Sequence, residues 1–151
     1  MPTTIREQVI QAFKTKVNAQ GVLMPSDLKD RTIWPVIGIR DLDDVVTFEE
    51  YGSTHLTMSV VLEMVDEYNS TGALSRYDTN EVISIANQMI GIMVNSGLAT
   101  NRNLDGLCEN IKHDSSVPVY PVVGSNLIGA RVIFEIDYKY DTGDPYTNSY
   151  W

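Results

Sequence analysis

Five carboxylates within ten residues, Asp41, Asp43, Asp44, Glu49 and Glu50, form the densest group of chemically capable side chains in the chain. Oxygen ligands of this kind can hold Mg²⁺ or Ca²⁺. The run DLDDVVTFEEYGS lacks EF-hand spacing, however, so a solvated acidic loop is the expected reading and a metal-dependent enzyme built on it is a rival. His55 and His113 are the only histidines, stand far apart in sequence and belong to no HExxH pattern. They read as surface or packed side chains. Cys108, the single cysteine, sits among Leu107 and Ile111 with nothing beside it that marks a nucleophile, which predicts inert packing. A G-x-S-x-G elbow and phosphate-binding loops of the Walker or dinucleotide type are missing from the sequence. The expectation is a protein without catalytic residues, bound metal or cofactor.

The aromatic residues near the end of the chain offer a different chemistry. Tyr138, Tyr140, Tyr146, Tyr150 and Trp151 could cap the domain's own core, or fill pockets on a neighbouring subunit, where Tyr and Trp are favoured anchors. The tail Tyr146–Trp151 carries no charged side chain, and a free tail is usually more polar. The balance favours the neighbour.

The elements that must position these residues follow from periodicity. The chain is organised around LIGARVIFEIDYKY, Leu127–Tyr140, where Ile128, Ala130, Val132, Phe134, Ile136, Tyr138 and Tyr140 fall on one side of an extended chain. As one strand it spans about 46 Å, beyond the usual length, which predicts that it runs past its own domain. Thr4 and Glu7 have capping-box spacing before the stripe Ile5, Val9, Ile10, Phe13 and Val17, giving a helix from about Ile5 to Ala19. Thr32–Arg40 reads as a strand with Pro35 at an edge or bulge. His55–Asp66 alternates, with Leu56, Met58, Val60, Leu62 and Met64 on one face, so the two strands pair antiparallel across the acidic loop. Val82, Ile85, Ala86, Met89, Ile90 and Met93 mark a second helix, capped by Asp78 or Thr79 and ending with Gly97 at a left-handed C′ position. Leu104–Lys112 is a weaker strand candidate, and SSVPVYPVV, broken by Pro118 and Pro121, reads as an edge or a loop. The order predicts an α+β domain: a mostly antiparallel sheet packed by two main helices, with a long C-terminal strand.

Composition narrows the partners. A chain of 151 residues with 43% hydrophobic and 21% charged residues suits one folded domain over residues 1–151, with an extended tail at about 141–151. The net charge of −9 opposes binding to nucleic acid or to an anionic membrane, though not a surface that DNA passes without sticking. No segment approaches the ~20 apolar residues of a membrane span. The start, MPTTIREQ, lacks a signal peptide's apolar run, which predicts a cytoplasmic protein at synthesis.

An amphipathic helix, then TIWPVIGIR, then HLTMSVVLEMV, then the helix NEVISIANQMIGIMV, and a final long strand closing in YKYDTGDPY form an order that resembles the tail-terminator (tail-completion or head–tail joining) proteins of long-tailed bacteriophages. The resemblance runs from about Ile5 to Tyr146, with Asp144-Pro145-Tyr146 its most suggestive piece, and the tail through Trp151 departs from it. It implies a structural virion protein, a small subunit of a ring that is a hexamer at the head-proximal end of the tail tube. The ring stops tube polymerisation and presents a surface to the head. The implied partners are copies of the same chain, the tail tube protein and a head-completion or connector protein, with DNA passing through the lumen unbound and no membrane involved. The implied location is the virion neck, reached from the host cytoplasm during assembly. The acidic residues 41–50 are then candidates for the lumen or an inter-subunit contact, and the terminal aromatics for a subunit or partner interface. Alternatives within the same particle are a head-completion or stopper protein and a minor tail subunit.

Overall fold

A computed structural model describes residues 2–19, 36–67, 79–99, 101–120 and 127–149. The expected loop through Pro25 and Asp30, residues 32–35 of the first strand candidate, the Asp78 cap, Pro121, Tyr150 and Trp151 lie outside them. The described elements are α1 (Ile5–Ala19), β1 (Val36–Glu50), β2 (Ser53–Glu67), α2 (Thr79–Leu98), a 3₁₀ turn at Leu104–Gly106, β3 (Asn110–Val119) and β4 (Leu127–Asp141). The strands form one antiparallel sheet in the order β1-β2-β4-β3. This is the α+β arrangement that the sequence predicts, long C-terminal strand included.

Period-two alternation places the core. Leu56, Met58, Val60, Leu62 and Met64 of β2, with Ile128 through Tyr138 at every second position of β4, are buried on one sheet face. Both helices cover that face, α1 through Ile5, Val9, Phe13 and Val17, and α2 through Val82, Ala86, Met89 and Met93. Phe13 meets Phe134 edge to face, with ring centroids 5.5 Å apart. The opposite face is polar in places: Glu63 accepts from Arg40 at 2.9 Å and pairs with Arg131 at 3.0 Å. Asp137 likewise takes Thr57 Oγ1 at 2.6 Å and Lys112 at 3.3 Å.

Thr4 caps α1 as its spacing requires, its Oγ1 accepting the Glu7 amide at 3.1 Å. Three other expectations are corrected. β4 does not run past its domain: all 15 residues pair with β2, from Glu67↔Leu127 to Ser53↔Asp141, and β3 flanks it on the other side. Residues 41–50 are not a loop but the second half of β1, closed onto β2 by the short turn Tyr51-Gly52, where Gly52 takes a φ of 83°. The β-branched and aromatic residues among the carboxylates, Val45, Val46, Thr47 and Phe48, carry the extended conformation through the acidic run. Finally, α2 continues to Leu98, so Gly97 lies inside it and is not a left-handed terminus. Its role is contact: a Cβ there would stand 2.4 Å from the Phe134 ring, so only glycine lets the helix lie flat on the sheet.

Pro118 lies on β3, an edge strand, as its lost donor predicts. Leu104–Lys112 is divided between the 3₁₀ turn and the start of β3. Asn101, Leu104 and Asp105 all adopt positive φ there, and the Asn101 side chain accepts the Asp105 amide at 2.9 Å to hold the turn.

Candidate assembly surface

β1 is an edge strand, and its acidic half is divided by function. A break in register between Asp41 and Asp44 turns both carboxylates towards the helix layer. Arg6, on the first turn of α1, clamps them: Nη1 donates to Asp41 Oδ2 at 2.6 Å, Nε to Asp44 Oδ2 at 2.7 Å and Nη2 to the Leu42 carbonyl at 2.9 Å. Tyr138 reaches the same group from β4, its hydroxyl donating to Asp44 Oδ2 at 2.7 Å. Burial disfavours charge on Arg6, but the hydrogen bonds to Asp44 and Asp41 outweigh it and raise its pKa further. The Arg6 hydrogen bond holds Asp41 below the ordinary carboxylate range. Burial first, then the bond to Asp44, pushes Tyr138 ionisation up. These four residues join helix to sheet edge.

The other three carboxylates, Asp43, Glu49 and Glu50, are exposed. Strung along an extended strand, the five cannot converge on one ion, and among the described residues no group of three or more His, Cys, Asp or Glu side chains is placed to hold a metal. Glu50 instead lies 3.8 Å from His55 Nε2, whose Nδ1 is 3.0 Å from Glu109. The His55 ring stacks at a tilt beside Phe48, 5.0 Å between centroids.

The feature that sequence reasoning missed is apolar. Val45 is 60% exposed, Val46 53%, Phe48 51%, and Tyr51 stands fully in solvent at the turn. The register places Val45, opposite Thr57, and Phe48, opposite His55, on the polar face of the sheet and Val46, opposite Leu56, on the helix-covered face, while Leu42 lies in the register break farther along the strand; carboxylates are interspersed among them. DLDDVVTFEEY contains these apolar residues, but five carboxylates among them give the run the pattern of a solvated loop.

The aromatic candidates separate by position. Tyr138 is 1% exposed and belongs to the core of its own chain, so it is no anchor for a neighbour. Tyr140 packs half-buried beside it, with centroids 6.4 Å apart. Tyr146 is nearly half exposed on a tail that folds back on its own domain. The Pro145 carbonyl accepts the Ile5 amide at 2.8 Å, the Thr147 carbonyl accepts Asp141 N at 2.7 Å, and Ser149 Oγ donates to Asp141 at 2.7 Å. Through residue 149 the tail is thus tied beneath the N-terminus of α1.

Cys108 and His113 have ordinary partners. Cys108 is fully buried, its thiol points to the Arg102 carbonyl at 3.4 Å, and burial pushes it up to about 12. His113 Nε2 lies 2.7 Å from Ser116 Oγ on the exposed side of β3. Lys16 is buried beside the same turn, donating to the Asn101 carbonyl at 3.3 Å, and burial lowers its pKa.

No helix among the described residues is long and apolar enough to cross a membrane. No protein-family model matches the chain, and no curated protein matches it.

Proposed function

We propose that the protein is a structural ring-forming subunit of a long-tailed phage neck, of the tail-terminator kind. A hexamer of it would cap the head-proximal end of the tail tube, stop polymerisation and offer a surface to the head-completion or connector protein. Its contribution is mechanical, with no chemical step. It would act in the virion neck, after assembly in the host cytoplasm.

The observation that carries this reading is the exposure of large apolar side chains near the β1–β2 hairpin, Val45 and Phe48 on the polar face of an edge strand, Val46 on its other face and Tyr51 at the turn. Single exposed apolar residues need no explanation, but several large ones gathered near one hairpin end and interspersed with carboxylates support a protein contact there. The element order of the resemblance supports it as well. The negative charge of −9 suits a conduit through which DNA slides, since cationic walls would hold the phosphates. Asp43, Glu49 and Glu50, which are exposed on β1, are the residues proposed to face the lumen or a subunit seam.

Incubation with purified tail tubes tests the role. A terminator caps one end of every tube and blocks further addition of tube subunits. Failure to bind tubes, with binding to the portal side of heads instead, assigns the protein to the head-completion step.

A further inference from the structure

We infer that the tail from Thr142 to Ser149 is a releasable strap, closed over the N-terminus of α1 and the β1–β2 turn, which opens as a unit while the sheet and both helices stay folded. The strap requires no second copy of the chain, so it stands apart from the ring reading.

Polar bonds hold the strap, and little else does. The Thr142 amide donates to the Gly52 carbonyl at 3.1 Å, and the Thr142 and Thr54 hydroxyls lie 3.1 Å apart. A turn follows, with Gly143 at a φ of 81° and the Asp144 amide donating to the Asp141 carbonyl at 2.8 Å. Pro145 then accepts the Ile5 amide, one of the donors at the start of α1 that the helix cannot satisfy itself. At the far end Ser149 binds the Asp141 carboxylate twice, its amide donating to Oδ1 at 2.8 Å and its hydroxyl to Oδ2 at 2.7 Å. Between these points only Pro145 and Asn148 are half-buried, and the other six residues are exposed. Hydrogen bonds that replace bonds to water contribute little net stability, so a segment with scant apolar burial opens easily.

Closure also carries a cost. Both side-chain amide atoms of Asn148, Oδ1 and Nδ2, are shielded from solvent and meet no hydrogen-bonding group. A carboxamide offers two donors and a two-fold acceptor, all of which water satisfies once the strap lifts. Ser53, paired opposite Asp141 where the strap begins, is 2% exposed, and its hydroxyl likewise has no partner. Among the described residues, the buried side-chain atoms left without a hydrogen bond are these three with Asp44 Oδ1 and His55 Nε2, all on the hairpin half of β1 and β2 or on the tail itself. The rest of the sheet shows none. The strap therefore sits on the part of the domain where polar groups are least well matched, and lifting it bares the Ile5 amide, the Gly52 carbonyl and Tyr146 together.

Native-state hydrogen exchange on the full chain, read amide by amide, tests this with wild type, Asn148→Leu and Ser149→Ala. Asn148→Leu keeps the side chain's size and removes the unmatched amide, whereas Ser149→Ala removes one bond to Asp141. The amides of Ile5, Thr142 and Ser149 report on the strap, and those of Val60 and Phe134 in the middle of β2 and β4 report on the fold of each variant. In wild type the three strap amides are expected to exchange at least about a hundredfold faster than the two core amides, and at similar protection to one another. Asn148→Leu is expected to slow all three by about tenfold and Ser149→Ala to speed all three, with the core amides unchanged in both. Strap amides that exchange only with the core, that respond independently of one another, or that exchange faster in Asn148→Leu overturn the proposal.

Discussion

Asp44 shows how a residue chosen for one role can have another. It belongs to the acidic run whose exposed members are proposed to face the lumen, yet Arg6 and Tyr138 both donate to its Oδ2. Removing the Tyr138 hydroxyl with Tyr138→Phe leaves the ring packed but takes away a part-buried bond to a carboxylate. The expected loss is about 1–2 kcal/mol in a urea titration. Arg6 and Asp41 form the more exposed arm of the same clamp. Asp41 titrates below its ordinary value in the folded state, so its contribution is complete above that ordinary value and fades as pH falls through the lowered one. Asp41→Asn is accordingly less stable than wild type at neutral pH, and the gap closes under strongly acidic conditions. Paired acid and neutral denaturant titrations measure this. Cys108 supplies a readout of opening. With its thiol fully buried and pushed up to about 12, a disulfide reagent at mildly alkaline pH modifies it only when the core opens. Prompt modification of the native protein would contradict that packing.

The elements were legible wherever one period dominated. The apolar stripes from Ile5 and Val82 and the alternation from His55 and Ile128 gave both helices and two strands at close to their observed limits. β1 was half hidden, because carboxylates at Asp41, Asp43, Asp44, Glu49 and Glu50 break its alternation and two register shifts move its faces. The exposure of its apolar side chains was unreadable for a further reason: which strand lies at an edge depends on pairing partners far away in sequence. Glycines tell the same story within one helix. Gly97→Ala pushes a methyl against the Phe134 ring and is expected to cost about 1–3 kcal/mol. Gly91→Ala meets open space and is expected to stabilise the fold by about 0.5–1 kcal/mol. Thermal melts of the two variants should move in opposite directions. Gly129 is the sheet counterpart, since a Cβ there would stand 2.5 Å from the Met64 carbonyl of the neighbouring strand.

At the scale of the whole molecule, two helices and the sheet satisfy one face and leave apolar side chains at opposite sides of the domain. Val45, Val46 and Phe48 lie on the β1 edge strand, and Ile83 and Ile92 are exposed on opposite flanks of α2. A subunit built to remain alone would carry charge at both places. Here charge frames one and is missing from the other. That asymmetry is what the ring proposal explains, and no single residue discloses it. The measurement that tests it most directly is the mass of the wild-type protein by light scattering across a concentration series, with negative-stain images of the same fractions and of tail tubes mixed with the protein. The account predicts a species near six subunits that appears as rings, free or seated on tube ends. A strict monomer at every concentration, leaving tube ends bare, would contradict it.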